Sequence, residues 1–170
     1  MKILKLIKIP DLITLLSVIL AMLSIFSSVQ GNPSIAAILI LASAVSDKLD
    51  GIAARMLKRK GDFGKHLDSL ADAVAFGAAP AVLGFMILEK SIFSYFALIL
   101  FVCAGILRLA RFNISPNVAY FEGLPITASG TIMAVWILIG FPVSFLPYLC
   151  LMLSILMVSS IRIKKPGIGS

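Results

Sequence analysis

The residues best suited to chemistry lie in the run DKLDGIAARMLKRKGDFGKHLDSLAD, which follows the pattern D-x2-D-G-x2-A-R-x8-G-x3-D-x3-D. Its first two acids, Asp47 and Asp50, are three residues apart, and its last two, Asp68 and Asp72, are four apart. Residues at these spacings share one face of a helix. Oxygen-only ligands suit hard divalent ions such as Mg²⁺ or Mn²⁺. Four carboxylates suit two such ions about 3.5–4 Å apart, an arrangement that clamps a phosphate for displacement.

The chain around these acids is built for lipid. It has 170 residues, of which 60% are hydrophobic and 14% charged, and its mean hydropathy is +1.08. Soluble domains have about 25% charged residues. We therefore predict one all-α domain, residues 1–170, in the form of a polytopic membrane helix bundle. A carboxylate at membrane depth is costly unless it is paired or metal-bound, so these acids indicate a functional site.

Six stretches are long and apolar enough to be spanning helices, which need about 20 residues. The first three are predicted at about Pro10–Val29, Ser34–Lys58 and Gly64–Leu88. The other three are predicted at about Ile92–Phe112, Leu124–Ile139 and Phe145–Ile163. No strand is predicted. Cys103 and Cys150 fall inside apolar stretches and are interpreted as small packing residues.

The net charge of +7 suggests a nucleic-acid partner in a soluble protein, but here the cations sit at helix ends. Membrane topology and anionic lipid explain them better, so no nucleic-acid partner is expected. With six spans, four basic regions fall on one side, and the opposite loops carry a single cation, Lys90. The positive-inside rule then predicts a multi-pass protein of the cell membrane with both termini and the acids at the cytoplasmic side. The basic regions are Lys2, Lys5 and Lys8; Lys58, Arg59, Lys60 and Lys65; Arg108 and Arg111; and Arg162, Lys164 and Lys165.

A short loop joins the two helices that carry the acids, which makes them antiparallel neighbours. All four carboxylates are therefore expected to meet near the cytoplasmic ends of helices two and three. The small residues Gly51 and Ala54 leave room for a flat ligand or a diphosphate to approach. Taken alone, they are equally typical of tight helix packing in membranes, and Gly64 is equally typical of a helix start.

The run resembles the signature of the CDP-alcohol phosphotransferase family at all eight fixed positions, which span 26 of the 170 residues. The six-span layout also fits that family. The resemblance implies displacement of CMP from a CDP-linked substrate by an alcohol, with two divalent cations and a homodimer. It also implies roles for the individual residues. Asp47, Asp50 and Asp68 would hold the metals, Asp72 would serve the second metal and act as base, and Gly51, Ala54 and Arg55 would lie along the cytidine and its phosphates.

Three further segments resemble the phosphatidylserine synthase branch of the family. They are DSLADAVAFGAAPA from Asp68, LRLARFN from Leu107 and FEGLP from Phe121. Ala75 stands where that branch usually has Ser. The expected substrates are CDP-diacylglycerol (or a CDP-linked ether lipid) and L-serine, with the lipid tails in the bilayer.

Several residues outside the signature are candidates for binding. Arg108 and Arg111 share a helix face and are interpreted either as an anion clamp for acceptor or phosphate or as positive-inside anchors. Pro10 and Thr14 resemble the P-N-x-x-T start of the family's first helix and are expected near the nucleotide. Asp11 replaces the usual Asn there and is also a good helix cap.

Other interpretations remain open from the sequence. The acceptor alcohol is alternatively glycerol 3-phosphate or inositol phosphate, although a phosphorylated acceptor needs more buried cations. Asn113 either caps its helix or contacts substrate, and the single histidine, His66, is interpreted as an interfacial residue. From a different class, divalent-cation transport requires acids along a crossing path, and the outer half of the predicted spans offers none except Glu89 at the far edge.

Overall fold

A computed structural model describes residues 9–56, 62–114 and 120–164, which are predominantly helical. Seven α-helices follow in order: α1 Ile9–Val29, α2 Pro33–Met56, α3 Asp62–Asp72, α4 Ala79–Ile87, α5 Ile92–Ile114, α6 Ile126–Leu138 and α7 Leu146–Val158. Because α3 and α4 are continuous through a wider helical turn at Ala73–Ala78, the described ranges form six helical rods, as predicted. Among the predicted cations, Lys2, Lys5, Lys8, Lys58, Arg59, Lys60 and Lys165 lie outside the described residues.

The apolar helices make this a membrane-embedded protein. Three rods in the described ranges are long and apolar enough to cross a bilayer: Asp11–Val29, Phe63–Ile87 and Ile92–Ile114. The helices Ile126–Leu138 and Val143–Val158 are apolar but shorter. Helix α2 has the length, but its second half carries Asp47, Lys48, Asp50 and Arg55. The charges that reduce its hydropathy are those of the signature.

The first two helices form a close antiparallel hairpin. Gly31 turns the chain with φ +78°, a conformation that glycine adopts without strain. Along the hairpin, buried serines of one helix bond to backbone carbonyls of the other. Ser43 donates to the Ser17 carbonyl (3.0 Å) and Ser46 to that of Ile13 (3.1 Å). Small residues that both pack and hydrogen-bond suit helix association in lipid, and they bring the start of α1 beside the acids of α2.

The third rod changes its winding just after the last acid. Residues Ala73–Ala78 form a π-helical turn, and Pro80 follows at the start of α4. Proline has no N–H to donate and its ring collides with the carbonyl four residues earlier, here that of Phe76. A π-helical turn accommodates this defect, and such turns are frequent at functional sites. Gly130 of α6 packs against it so closely that an added Cβ would lie 2.9 Å from the Phe76 backbone.

The end of the sixth rod corrects the sequence prediction. The helix was predicted to continue to Ile163, but it ends at Val158, and Arg162–Lys164 pairs antiparallel with Tyr120–Glu122 as strands β2 and β1. The sequence analysis predicted no strand, and this pair of three-residue strands is an addition to an otherwise helical fold. Tertiary contacts explain both differences, because the Leu124 N–H bonds to the Leu156 carbonyl and the Gly123 N–H to that of Ile161. These backbone bonds replace those that a longer helix would have made.

The core lies between α2, the π-helical turn, α5, α6 and α7. Its largest fully buried apolar side chains include Phe76, Phe101, Leu83, Ile126 and Met133. Cys150 is also buried there and is free, as its interpretation as a packing residue requires, whereas Cys103 is free and exposed. Many large apolar side chains elsewhere on the helices face outward, which fits a lipid environment.

Candidate active site

Three of the four signature acids converge. One carboxylate oxygen from each of Asp47, Asp50 and Asp68 lies within 4.8 Å of the others. The first two acids come from α2 and the third from α3. We refer to these three residues as the acid cluster. Its geometry follows from the i, i+3 spacing on α2 together with the position of Asp68 on α3.

The fourth acid, Asp72, lies at the edge of the acid cluster. Its carboxyl is within hydrogen-bonding reach of Asp47 and close enough to Asp68 for their charges to interact. The positively charged guanidinium of Arg108, on α5, attracts the carboxylate of Asp72. The interaction with Arg108 connects Asp72 to α5, a helix that contributes no residue to the acid cluster.

The acid cluster fits a hard divalent cation. Like charges a few ångströms apart repel strongly where water is scarce, and a bound cation reverses that energy. The converging donors are all carboxylate oxygens, as Mg²⁺ and Mn²⁺ prefer. Divalent-metal dependence is also general in the family that the signature resembles.

Helix α1 supports the cluster from its other side. The Thr14 hydroxyl donates a hydrogen bond of 2.7 Å to Oδ2 of Asp50, and both residues are buried. Asp11 is buried one turn earlier, close enough to Asp50 for the two charges to interact. Asp11 also explains Gly64, since an added Cβ at Gly64 would lie 2.9 Å from the Asp11 Oδ1. The glycine of the signature thus has a packing function where α1 meets α3.

Thr14→Val is expected to reduce Mn²⁺ affinity about 10–100-fold, the usual effect of removing a group that orients a metal ligand. Valine keeps the shape of threonine but cannot donate to Asp50. Electron paramagnetic resonance titration of Mn²⁺ against the detergent-purified protein measures this directly. Thr14→Ser keeps the hydroxyl and is the control. Equal affinity in the valine and serine variants would contradict the orienting role.

The remaining candidates for nucleotide binding are Gly51, Pro10, Ala54 and Arg55. Gly51 lies on α2 next to Asp50, and a Cβ there would meet no described atom within 4 Å. The approach of a ligand at Gly51 stays a prediction. Pro10, Ala54 and Arg55 lie in α1 and α2, with side chains outside the described part of the structure.

The two arginines of α5 have different surroundings. Arg108 is 7% exposed, faces Asp72 and stacks over the Phe112 ring at 5.7 Å. Arg111 donates to the carbonyls of Met157, Val158 and Ser159 at the end of α7. Arg108 therefore lies beside the acids, whereas the hydrogen bonds described for Arg111 stabilise a helix end. Anion binding by Arg111 stays a prediction.

A polar contact between α3 and α5 was not predicted from the sequence. Ser69 and Asn113 exchange hydrogen bonds, Asn113 Nδ2 donating to Ser69 Oγ (3.0 Å) and Ser69 Oγ approaching Asn113 Oδ1 (3.3 Å). Lys65 donates to the Asn113 carbonyl at 3.2 Å. The feature of the sequence that could have indicated this contact is the i, i+4 spacing of Lys65 and Ser69, which places both residues on one face of α3. His66, by contrast, is exposed on α3.

Comparison with known proteins places this site in a family. Residues 7–162 match the model of the CDP-alcohol phosphatidyltransferase family. The archaetidylserine synthase of Methanothermobacter thermautotrophicus is 36% identical over 99% of this chain and 75% of its own length. The CDP-diacylglycerol–serine O-phosphatidyltransferase of Methanocaldococcus jannaschii is 38% identical over 95% of this chain and 76% of its own length. The enzyme of the same name from Helicobacter pylori is 36% identical over 90% and 70%. The match covers nearly the whole chain, including every residue of the acid cluster, and the chain belongs to the CDP-alcohol phosphatidyltransferase family.

Proposed function

We propose that this protein transfers a phosphatidyl group from CDP-diacylglycerol, or the corresponding group of a CDP-linked ether lipid, to the hydroxyl of L-serine and releases CMP. The observation that carries the proposal is the acid cluster with Asp72 beside it, in a chain matched over most of its length by serine transferases. The product is a serine phospholipid.

In the proposed mechanism Asp72 is the general base. Its carboxylate accepts the proton of the serine hydroxyl as the serine oxygen bonds to the lipid-linked phosphorus. The phosphoanhydride bond to CMP breaks in line with that attack, and CMP carries the electron pair away. The neighbourhood of Asp72 supports this assignment, because Arg108 attracts its charge while Asp47 and Asp68 repel it.

Asp47, Asp50 and Asp68 are proposed to hold the divalent cations, with Asp72 serving the second of two. When bound, Mg²⁺ or Mn²⁺ would neutralise charge on the diphosphate. Gly51, Ala54, Arg55, Pro10 and Thr14 are proposed to line the CDP-lipid. Arg108 and Arg111 are proposed for acceptor or phosphate. The open space at Gly51 and the contact of Thr14 with Asp50 support a nucleotide path along α1 and α2.

The proposed setting is the cell membrane, crossed by six helices, with both termini and the di-metal site on the cytoplasmic side. The positive-inside pattern supports this orientation. With the site on that side, the lipid tails stay in the bilayer while serine arrives from the aqueous phase. A homodimer is proposed from the family resemblance.

Two other functions are compared with this one. Glycerol 3-phosphate and inositol phosphate are the alternative acceptors; among the described residues Arg108 is the cation that interacts with Asp72, and Arg111 interacts with Arg108. Divalent-cation transport would require acids along a crossing path, and Glu89, the acid in the connection after α4, is exposed. Neither alternative gains support from a described contact.

CMP release by the purified protein in detergent tests the proposal. CDP-diacylglycerol and Mn²⁺ are supplied, and serine, glycerol 3-phosphate and inositol phosphate are offered separately. Release that depends on serine is expected. Release only with a phosphorylated acceptor would change the acceptor and keep the chemistry. No release with any acceptor, repeated with an ether-linked CDP-lipid, would overturn the proposed reaction and favour transport.

A further inference from the structure

We propose that Arg108, Ser69 and Asn113 form the subsite that selects an amino acid as the acceptor. In this arrangement Arg108 binds the carboxylate of serine, and the Ser69–Asn113 pair binds its ammonium group. The inference rests on the proposed function and adds to it the residues that distinguish serine from other alcohols.

The polar groups of serine lie close together along the molecule. Serine carries its hydroxyl and its carboxylate on adjacent carbons. A base that takes the hydroxyl proton therefore needs a cation beside it if the same site is to bind the carboxylate. Asp72 is the proposed base, and the charge that attracts it across the α3–α5 contact is Arg108.

The Arg108 side chain has a buried N–H group to which no described residue is hydrogen-bonded. Arginine has five N–H donors, and Nε of Arg108 is buried with no hydrogen-bond partner among the described residues. A buried donor without a partner is costly, and such groups in native structures need an explanation. A carboxylate bound edge-on to the guanidinium would use this N–H in a bidentate pair, the geometry in which arginine exceeds lysine. The centre of the Phe112 ring lies 5.7 Å from the guanidinium carbon, within the range of a cation–π contact.

Ser69 and Asn113 lie on the same two helices as Asp72 and Arg108. Ser69 is three residues before Asp72 on α3, and Asn113 follows Phe112 on α5. Their mutual hydrogen bonds present two neutral oxygens, the Ser69 Oγ and the Asn113 Oδ1, between the two helices. Both accept hydrogen bonds, as an ammonium group requires. A cation, a base and a pair of neutral acceptors match the three polar groups of serine.

Lys65 holds this arrangement in place without occupying it. Its ammonium donates to the Asn113 carbonyl and lies 5.9 Å from the centre of the Phe112 ring. The end of α5 is thereby tied to α3 beside the subsite. Arg111 is tied to α7 instead, so the inference assigns the carboxylate to Arg108 alone.

The test compares acceptors that each lack one group. Ethanolamine has no carboxylate, and 3-hydroxypropionate has no ammonium. CMP release in detergent with CDP-diacylglycerol and Mn²⁺ gives kcat/KM for each acceptor and for serine. Arg108→Gln is expected to reduce the preference for serine over ethanolamine about 10–100-fold, the value of a charge-assisted hydrogen bond. Asn113→Ala and Ser69→Ala are expected to reduce the preference for serine over 3-hydroxypropionate about tenfold, with the ethanolamine comparison unchanged.

Two variants keep the result interpretable. Arg108→Lys keeps the charge but loses the planar fork, so it carries the test if the glutamine variant does not fold. His66→Gln changes an exposed residue of α3 and is expected to leave every preference unchanged. Equal losses for serine and ethanolamine in both Arg108 variants would overturn the inference, because Arg108 would then only balance the charge of Asp72. A wild-type protein inactive with all acceptors would instead overturn the proposed function.

Discussion

Asp72→Asn is expected to lower kcat for serine-dependent CMP release by about 10²–10⁴-fold, the usual contribution of a general base. Asparagine has almost the shape of aspartate but accepts no proton at the pH of the assay. The Michaelis constant for CDP-diacylglycerol is expected to change little, because the acid cluster forms from Asp47, Asp50 and Asp68 without this side chain. Initial rates over a range of both substrates separate the two constants.

A measurement of Mn²⁺ affinity distinguishes loss of the general base from damage to the metal site. We expect the Asp72→Asn variant to bind the first Mn²⁺ ion within about tenfold of wild type, since the three carboxylates proposed to hold that ion converge without Asp72. Asp72→Glu keeps the proton acceptor but moves it, and partial recovery of kcat is expected. Wild-type turnover in the asparagine variant would contradict the role of base. Loss of all Mn²⁺ binding would make Asp72 chiefly a metal ligand.

The helices were predictable from the sequence because hydropathy acts over many residues at once. The six rods begin and end close to the predicted positions, apart from the end of the last. Their local details were not predictable in the same way. The π-helical turn depends on where Pro80 meets the carbonyl of Phe76, and strand β2 depends on a pairing with residues about 40 positions earlier. Both are tertiary effects that no short window contains.

The convergence of Asp47, Asp50 and Asp68 followed from spacing, because i+3 and i+4 positions share a face and a short loop brings two faces together. The contacts that arrange this site come from other helices. Thr14 on Asp50, Asp11 on Gly64 and Arg108 on Asp72 each join residues more than 30 positions apart. Each of these residues is a candidate in the sequence, but spacing along one helix does not show which residue of another helix it meets. Arg108 and Arg111, grouped by their spacing, do interact with each other, and each also has its own contact: Asp72 for Arg108 and the end of α7 for Arg111.

Asp68→Asn is expected to weaken Mn²⁺ binding by about 100-fold or more, beyond the 10–100-fold typical of residues that only orient a ligand. Asp68 is the one contribution of α3 to the acid cluster. Without its charge, Asp47 and Asp50 remain on α2 and no longer enclose a cation between two helices. The same change is expected to abolish CMP release at Mn²⁺ concentrations that saturate the wild type.

Thermal unfolding supplies a measurement that does not depend on turnover. A cation at 100 times its Kd stabilises the folded protein by about 2.7 kcal/mol. For a chain of this size that is about 5–10 °C in unfolding temperature. Wild-type protein stripped with a chelator is expected to gain this much when Mn²⁺ is restored, and Asp68→Asn is expected to gain almost none. Asp11→Asn is the matched control, because Asp11 is a buried carboxylate near Asp50 outside the acid cluster. If the Asp11 and Asp68 variants lost the Mn²⁺ shift equally, total negative charge rather than the geometry of three converging oxygens would account for binding.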